Sequence, residues 1–404
     1  MNMRLFRLSK IFCVLIFSFG AEDVCAQRER DEFPTLQNFK GLQFKSQDST
    51  IYMNFRFRMQ NRLGAYTVGG DNLEIREFDA RVRRLRMRVD GYFYSPKFSY
   101  TLQLAFTRGD QDFDDTGVAN IVRDAVVFYN FTPNFYVAFG LNKLPGNRQR
   151  VNSSGQLQFA DRSIVNAAMN IDRDFGVKVY YKNKIGGEAL YHLKGAITTG
   201  EGRVANNTDK GLAYTVRGEL LPFGAFTDDG DYSEGDLMRE VKPKFSIGGG
   251  YSLNEATTRS GGQIGYYLYE PVDLKTYFVD AIFKYNGWAY QAEYIKRTTN
   301  RAFTYNDAGD MTYVFNGQGI NQQVSYLFKN NYEVAGRYSW LDPAENILEY
   351  QQETEVLELG LTKYLHQHRI KLQLNANYQT KQGVFALDNK GNRWGGVFQV
   401  ELGI

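Results

Sequence analysis

Cysteine is nearly absent from this chain of 404 residues. The two cysteines, Cys13 and Cys25, lie in a stretch that carries basic residues, a short apolar run and the small-residue pattern Val24-Cys25-Ala26. This arrangement predicts a secretory signal peptide at residues 1–26, cleaved after Ala26. Its removal would leave no thiol, which excludes disulfides, thiolate catalysis and cysteine metal sites from the mature protein.

Long apolar runs are missing as well. The run from Ile11 to Gly20 is too short to cross a bilayer as a helix, which needs about 20 apolar residues, and no later stretch approaches that length. We therefore expect no helical membrane anchor. Lipidation of Cys25 is an alternative, but the acidic pair Glu22-Asp23 that comes shortly before it argues against this.

Proline is scarce, with 8 residues, whereas glycine (39) and aromatic residues (15%) are plentiful. Neither a Pro/Ser-rich linker nor a shift in composition divides the chain into domains. The 48 basic and 45 acidic residues nearly cancel, so global charge gives no reason to expect a nucleic-acid partner. A closed sheet with a wet interior explains this composition, because only every second residue of its strands must be apolar.

Alternation of apolar and polar residues is the clearest pattern, and it is typical of strands whose two faces differ. Odd positions from Ile51 to Met59 are apolar, whereas the positions between them include Asn54, Arg56 and Arg58. The last alternating segment reaches the carboxyl terminus, as expected if it pairs with the first to close the sheet. Sixteen strands are predicted at 51–62, 74–92, 97–108, 122–131, 134–141, 174–182, 189–198, 211–221, 243–253, 275–286, 288–297, 318–328, 331–341, 353–365, 368–379 and 393–404.

The connections between these segments alternate between short and long. Tight turns at 95–97 and 132–134 contrast with a connection of about 30 residues at 142–173. The pattern predicts an all-β fold: a transmembrane antiparallel β-barrel of about sixteen strands at 50–404, with short periplasmic turns and long extracellular loops. A short periplasmic segment, 27–49, would precede it. The long acidic connection 222–242 is an exception, since this scheme places it on the periplasmic side.

Three stretches resemble a known family of channels. The arginine-rich run from Arg76 to Gly91, the triplet Arg123-Asp124-Ala125 and the segment from Gly140 to Val177 resemble the second strand, the fourth strand and the third-loop region of the phosphate-selective porin O/P family. The resemblance implies a sixteen-stranded homotrimeric channel in the bacterial outer membrane. It also implies that the third loop, near 142–173, folds inward and that basic side chains attract small anions such as phosphate.

Two sets of basic residues are candidates for contact with permeating ions. A long connection without an evident element of its own is usually functional, so the loop set is expected to form a constriction that binds anions; a mobile outer loop is the alternative. The second set is expected to line the pore as a basic ladder, with a bulge near Arg83; the alternative is a solvated face whose arginines pair with acidic residues across the sheet. The loop set is Lys143, Arg148, Arg150 and Arg162, and the ladder is Arg56, Arg58, Arg84, Arg86 and Arg88.

Charges at a narrow point should dominate ion choice. At physiological salt the Debye length is about 8 Å, so a charge on the wall of a wide lumen is largely screened from an ion at its centre. We therefore expect the loop set to matter more for selectivity than the ladder does.

Other motifs predict no chemistry. The acidic run formed by Asp110, Asp112, Asp114 and Asp115 departs from the calcium-loop pattern and indicates an acidic surface loop. The histidines His192, His366 and His368 have no further ligand near them in sequence, so we expect neither a metal site nor a barrel hydrolase. The glycine run 248–250 lies inside a predicted strand and opens no helix, which argues against a phosphate-binding loop and favours close packing or local bending of the wall. No cofactor is expected.

The sequence thus predicts a porin, not an enzyme, that allows passive diffusion of small hydrophilic solutes with a preference for anions. The expected partners are outer-membrane lipid, small anions and further copies of the chain. The alternative is a barrel with a plugged lumen that serves as a structural or assembly component of an outer-membrane complex.

Overall fold

The structure is a computed structural model, and it describes residues 41–113, 117, 119–203, 211–382 and 392–404. Sixteen long strands follow one another along this part of the chain. They are β1 (Ile51–Thr67), β2 (Ile75–Phe93), β3 (Phe98–Ala105), β4 (Val122–Thr132), β5 (Phe135–Lys143), β6 (Arg173–Gly186), β7 (Ala189–Thr198), β8 (Ala213–Leu221), β9 (Lys244–Arg259), β10 (Tyr267–Tyr285), β11 (Trp288–Thr299), β12 (Gly317–Leu327), β13 (Tyr332–Pro343), β14 (Glu353–His366), β15 (Ile370–Gln382) and β16 (Arg393–Gly403).

The sheet is closed. Each strand pairs antiparallel with the next one in the chain, and β16 pairs with β1, where Arg58 lies opposite Gly403 and Tyr66 opposite Gly395. Closure gives the first and last strands a partner on both edges. The predicted sixteen-stranded antiparallel barrel is confirmed.

Alternation along the strands places apolar side chains outside and polar side chains inside. On β14, for example, Leu357 and Leu359 are 59% and 68% exposed, whereas Glu358 between them pairs with Arg337 of β13. The predicted bulge is also present, because the pairing of β1 with β2 passes from Arg84 directly to Val82 and skips Arg83. The skipped residue restores the outward direction of the apolar side chains beyond it.

Strand β10 begins eight residues earlier than predicted. The sequence from Tyr267 to Leu274 contains Glu270, Pro271 and Asp273, which hide the alternation. Its partner β9 also carries register shifts between Asn254 and Arg259, so the parity of the pattern changes there. Because of these two irregularities, one in each of the paired strands, the sequence pattern does not indicate the first eight residues of β10.

Smaller elements surround the barrel. The strand Leu42–Lys45 pairs with the beginning of β1, and short hairpins join Asp112–Phe113 to Ala119–Asn120 and Phe303–Tyr305 to Met311–Tyr313. The predicted signal peptide, 1–26, and most of the predicted N-terminal segment lie outside the described residues. Within the described part of the chain, no helix has both the length and the apolar character needed to cross a membrane.

The connections sort by end of the barrel. At what we call the turn end, most are short, and the two-residue turn Asn286-Gly287 has φ values of 47° and 88°, as a type I′ hairpin turn requires. At the other end, the loop end, they are longer. Two connections fold into the lumen: residues 144–172 between β5 and β6, here called the lumen loop, and residues 222–243 between β8 and β9 at the turn end, here called the floor segment.

The lumen loop contains two short helices, α1 (Arg148–Val151) and α2 (Ile164–Met169). Apolar side chains of α2, and of the loop before and after it, pack against inward-facing apolar residues of the wall. Together they form a small core inside the barrel. Burial of each large apolar side chain contributes about 1.5–3 kcal/mol relative to exposure, so this core holds the loop against one half of the wall. Its members are Leu144, Val165, Met169 and Ile171 of the loop and Ala196, Phe278, Ile295 and Leu341 of the strands.

Candidate pore constriction

The lumen loop leaves a cavity on the side of the barrel opposite its apolar core. This cavity, here called the basic cleft, has a volume of about 300 Å³ and lies between the loop and strands β2 to β6. Seven basic side chains line it: Arg86, Arg88, Arg123, Lys143, Arg150, Arg162 and Arg173.

Asp110 fixes the wall side of the basic cleft. It lies in the connection between β3 and β4, is 6% exposed, and forms ion pairs with Arg86 of β2 and with Arg123 of β4, the latter at 2.9 Å. Burial alone would raise the pKa of Asp110, but the two guanidinium groups outweigh it and hold the pKa below its ordinary range. The carboxylate therefore stays charged and keeps both arginines in place.

Asp172 plays the same role where the lumen loop joins β6. Its carboxylate accepts hydrogen bonds from Nε of Arg150 at 2.8 Å and from Arg173 at 3.1 Å, and Arg173 also pairs with Asp124 of β4 at 2.9 Å. Burial raises the pKa of Asp172, yet Arg150 and Arg173 together keep it well below its ordinary range. One loop carboxylate thus joins the lumen loop to the wall.

Lys143 and Arg162 are held differently. Nζ of Lys143 donates to the carbonyl oxygens of Val151 (2.5 Å) and Asn152 (3.0 Å), and Arg162 donates to those of Gln149 (2.7 Å) and Asn152 (2.8 Å). Neither forms a carboxylate ion pair within the described part of the chain. Carbonyl groups orient a cation without cancelling its charge.

The charge of Arg162 survives its burial. Burial, with the neighbouring charge of Arg150 adding to it, lowers the pKa of Arg162 to about 9, which still leaves the guanidinium positive at neutral pH.

The four carboxylates that pair with the other basic side chains of the cleft are Asp90, Asp110, Asp124 and Asp172. Seven basic side chains face four carboxylates, so basic groups are in excess in the cleft.

Arg148, predicted in the loop set, does not line the basic cleft. It is fully buried on the other side of the loop, where Nε donates to Asp280 at 2.7 Å and the two terminal nitrogens donate to the carbonyl of Asp231 and the hydroxyl of Ser246. The structure disfavours the predicted contact of this residue with anions, because protein atoms, among them the carboxylate of Asp280, surround the guanidinium. Arg148 anchors the loop.

The predicted ladder divides into two groups. Arg86 and Arg88 line the basic cleft, whereas Arg56, Arg58 and Arg84 do not. Arg56 pairs with Asp90, and Arg84 donates to the side chain of Gln60 at 2.7 Å. Arg58 lies 3.8 Å from Glu401 and donates to the hydroxyl of Ser154 in the lumen loop at 2.8 Å. Arg56 and Arg58 thus have acidic partners, as the pairing alternative expects, whereas Arg84 is buried against a neutral amide.

Arg123 and Arg173 are the cleft residues that sequence reasoning missed. Both belong to Arg-Asp pairs at the loop end of a strand, Arg123-Asp124 in β4 and Arg173-Asp174 in β6. That shared position next to a long connection was the available signal. Their parity in the strand alone does not distinguish them from other inward-facing polar residues.

The acidic run was expected at the surface, and for two of its members this is wrong. Asp110 and Asp112 are buried because arginines of the wall reach them; Asp112 pairs with Arg259 of β9 at 2.9 Å. Asp114 and Asp115 lie outside the described residues. The described part of this connection therefore folds against the barrel, and its carboxylates compensate the charge of arginines in the wall.

One of the three histidines lies close to two acidic side chains. Nδ1 of His192 lies 3.1 Å from Glu219, and Asp231 is near both, but Glu219 already accepts hydrogen bonds from Lys194 (2.8 Å) and Arg217 (2.7 Å), which disfavours a metal ion. His366 and His368 flank the turn between β14 and β15.

Gly250 lies in β9 beneath the ring of Phe278, where a Cβ would come within 2.4 Å of a ring carbon. The glycine run thus serves close packing.

Comparison with known proteins agrees with this architecture. The family model of the phosphate-selective porins O and P matches residues 53–384. An uncharacterized protein of Aquifex aeolicus is 23% identical over 387 residues, which is 84% of this chain and 83% of that protein. Two solved porins share the fold: the anion-selective porin from Comamonas acidovorans (11% identity, 87% of this chain and 99% of that one, TM-score 0.51) and Salmonella typhi OmpF in complex with daunomycin (12%, 90%, 100%, 0.55). Since the family model covers most of the sequence, the chain belongs to the phosphate-selective porin O and P family.

Proposed function

We propose that this protein is an outer-membrane porin through which small hydrophilic solutes diffuse passively, with a preference for anions that include phosphate. The observation that carries the proposal is the basic cleft, in which Lys143 and Arg162 have only carbonyl partners. An anion that enters the cleft meets two basic side chains that no carboxylate of the described residues pairs with. Guanidinium groups also match the oxygen geometry of phosphate and carboxylate.

Distance and dielectric support the cleft as the point of selection. Two unit charges 4 Å apart interact by about 1 kcal/mol in bulk water and by about 4 kcal/mol at an effective dielectric constant of 20, typical of a pair near protein. Charges on the wall of a wide lumen are screened over about 8 Å. The narrow cleft therefore outweighs the more distant ladder residues.

The setting follows from the barrel type. Bacterial barrels place short turns in the periplasm, so the turn end would be periplasmic and the loop end extracellular. The outer membrane is the expected location, reached through export by the predicted signal peptide. Membership of the family supports a homotrimer. Cross-linking in outer membranes should yield a trimer, and a pattern with monomer alone would contradict that part of the proposal.

Planar-bilayer recording tests the main proposal. The purified protein should give steady channels whose reversal potential under a potassium chloride gradient has the sign of an anion-preferring pore, and phosphate should reduce the chloride current. A cation-preferring potential would contradict the anion preference.

A barrel with a plugged lumen is the second candidate, and the large part of the lumen that the lumen loop and floor segment fill is the observation in its favour. Absence of any channel activity from correctly folded, heat-modifiable protein would support this structural or assembly role.

A further inference from the structure

The floor segment is firmly built at the turn end of the barrel. Its two ends are held together by Glu240, whose carboxylate accepts from the backbone N–H of Thr227 at 2.6 Å and from its hydroxyl at 3.1 Å. Asp236 accepts from the backbone N–H of Glu240 at 3.0 Å and from that of Gly287, in the turn between β10 and β11, at 2.8 Å. The segment is therefore fixed to the wall independently of the lumen loop.

Glu234 joins this segment to the lumen loop. Its carboxylate accepts from the backbone N–H of Gln158 at 2.9 Å and from the side-chain amide of Gln149 at 3.4 Å, while its own N–H donates to the carbonyl of Gln156 at 2.9 Å. Glu234 is 1% exposed, and no cation pairs with it among the ion pairs of the described residues. A buried carboxylate is costly unless hydrogen bonds satisfy it, so its position depends on the loop, and the loop's position depends on it.

A second contact lies beside the first. Arg148 of the lumen loop donates to the carbonyl of Asp231 at 2.8 Å while its Nε holds Asp280 of the wall. The guanidinium lies over the ring of Tyr232, 5.6 Å from its centre, and Tyr232 itself lines the basic cleft. The floor segment thus contributes to the boundary of the cleft as well as to the support of the loop.

We propose that the floor segment is the second half of the constriction, and that Glu234 is a positioning residue that sets the width of the basic cleft from the turn end. This inference rests on the proposed porin function. The stretch from Gln149 to Gln158 carries Arg150 and Gln156, which both line the cleft, and Glu234 binds both ends of that stretch. Without this clamp the turn-end attachment of the stretch is lost, and its distance from strands β2 to β6 is no longer fixed.

The loop would remain in the lumen after loss of the clamp. Nζ of Lys371 in β15 donates to the carbonyls of Gly155 (3.0 Å) and Leu157 (2.6 Å), and the apolar core around α2 holds the other half. The expected defect is therefore a wider and less selective channel that still folds.

The absence of cysteine after residue 25 permits a reversible test. The backbones of Gln156 and Glu234 are hydrogen bonded at 2.9 Å, so the pair Gln156→Cys and Glu234→Cys brings two thiols within reach of a disulfide. The oxidised variant is the reference state of the test, since its disulfide holds the loop where Glu234 holds it in the natural protein. Reduction should raise conductance by about twofold and lower the anion/cation permeability ratio, and reoxidation should restore both, because pore width and lining set selectivity.

Single substitutions complete the design. Glu234→Gln should give the same change as the reduced cysteine pair, and it remains informative if the double variant fails to fold. Asp229→Asn is the matched control, since Asp229 is an exposed acid of the same segment, and it should leave both readings unchanged. An anion-preferring channel that responds neither to reduction nor to Glu234→Gln overturns the clamp alone, whereas a natural protein without channel activity overturns the porin proposal.

Discussion

Lys143 and Arg162 donate to the same carbonyl oxygen, that of Asn152, at 3.0 and 2.8 Å. One residue lies at the end of β5 and the other beyond α1, so the turn of chain around Asn152 draws two cations together at the basic cleft. Like charges brought this close repel each other, and their approach is tolerated because several carbonyl dipoles point at them. An anion between them would relieve that repulsion.

Replacement of both residues by glutamine, Lys143→Gln with Arg162→Gln, should lower the anion/cation permeability ratio severalfold. A difference of about 1.4 kcal/mol corresponds to a tenfold change in an equilibrium constant, and removal of two basic side chains without a carboxylate partner at a narrow point is expected to approach that size. Reversal potentials under a salt gradient provide the measurement. Lys97→Gln, at an exposed position in a tight turn, is the matched control. An unchanged ratio in the double variant would show that selection takes place elsewhere.

The carboxylates Asp110 and Asp172 should contribute no pH dependence of the anion preference near neutrality. Asp110 and Asp172 lie outside the strands, and their arginine partners keep both pKa values below the ordinary range, so neither loses its charge when the pH falls from about 7 to about 5. Protonation of either would raise the anion preference, and that rise belongs to more acidic solution. As the pH rises through about 9 the preference should fall, since Arg162, whose pKa is lowered to about 9, loses its charge there.

Reversal potentials from pH 5 to pH 10 check this profile. A rise in anion preference already between about pH 7 and pH 5 would mean that burial outweighs the arginines and raises the pKa of a cleft carboxylate above its ordinary value of about 4.

The barrel could be predicted from sequence because each strand carries its own period of two. Side chains such as Leu357 and Leu359 face lipid and Glu358 faces the lumen for a reason contained in three successive residues. The exception is informative: β10 was shortened in the prediction because Pro271 and the bulged partner strand interrupt the local pattern, although the pairing itself continues.

The site could be predicted only in part, because its geometry depends on distant partners. Arg148 and Arg162 are both basic residues of the same loop, yet Asp280, 132 positions along the chain, captures the first and leaves the second at the cleft. Arg123 was missed for a similar reason, since its partner Asp110 lies in a connection with no periodic pattern. Likewise the unusual length and acidity of the connection after β8 set it apart in the sequence, but its residues gave no pattern that predicts entry into the lumen.

Asp172→Asn should shift selectivity in the opposite direction. The substitution keeps the shape of the side chain but frees Arg150 from its carboxylate partner and leaves Arg173 with Asp124 alone. The surplus of positive charge grows by one, so the anion/cation ratio should rise, while the loop becomes less firmly attached to the wall. Glu270→Gln, which removes an exposed carboxylate at the loop end, controls for net charge. A fall in the ratio would indicate that the loss of position outweighs the gain in charge.

Arg148→Gln separates anchoring from selection. Arg148 is fully buried and its charge is compensated by Asp280, so its loss removes no charge that a permeating ion can meet. Asp280 keeps Arg217 as a second partner at 2.6 Å, so the substitution costs less than the about 3–5 kcal/mol of a buried charge left without compensation, but the hydrogen bonds of the guanidinium to Asp280, Asp231 and Ser246 are lost. The temperature at which the folded barrel converts to the unfolded form on an electrophoresis gel should therefore fall, and the open-channel current should become noisier as the lumen loop loosens. The sign of the reversal potential should stay that of the natural protein. For the double variant Lys143→Gln with Arg162→Gln we expect the reverse combination. Its anion/cation permeability ratio should change, and its unfolding temperature should stay nearly the same. If Arg148→Gln instead abolishes the anion preference at an unchanged unfolding temperature, then Arg148 contacts ions directly and its assignment as an anchor is wrong.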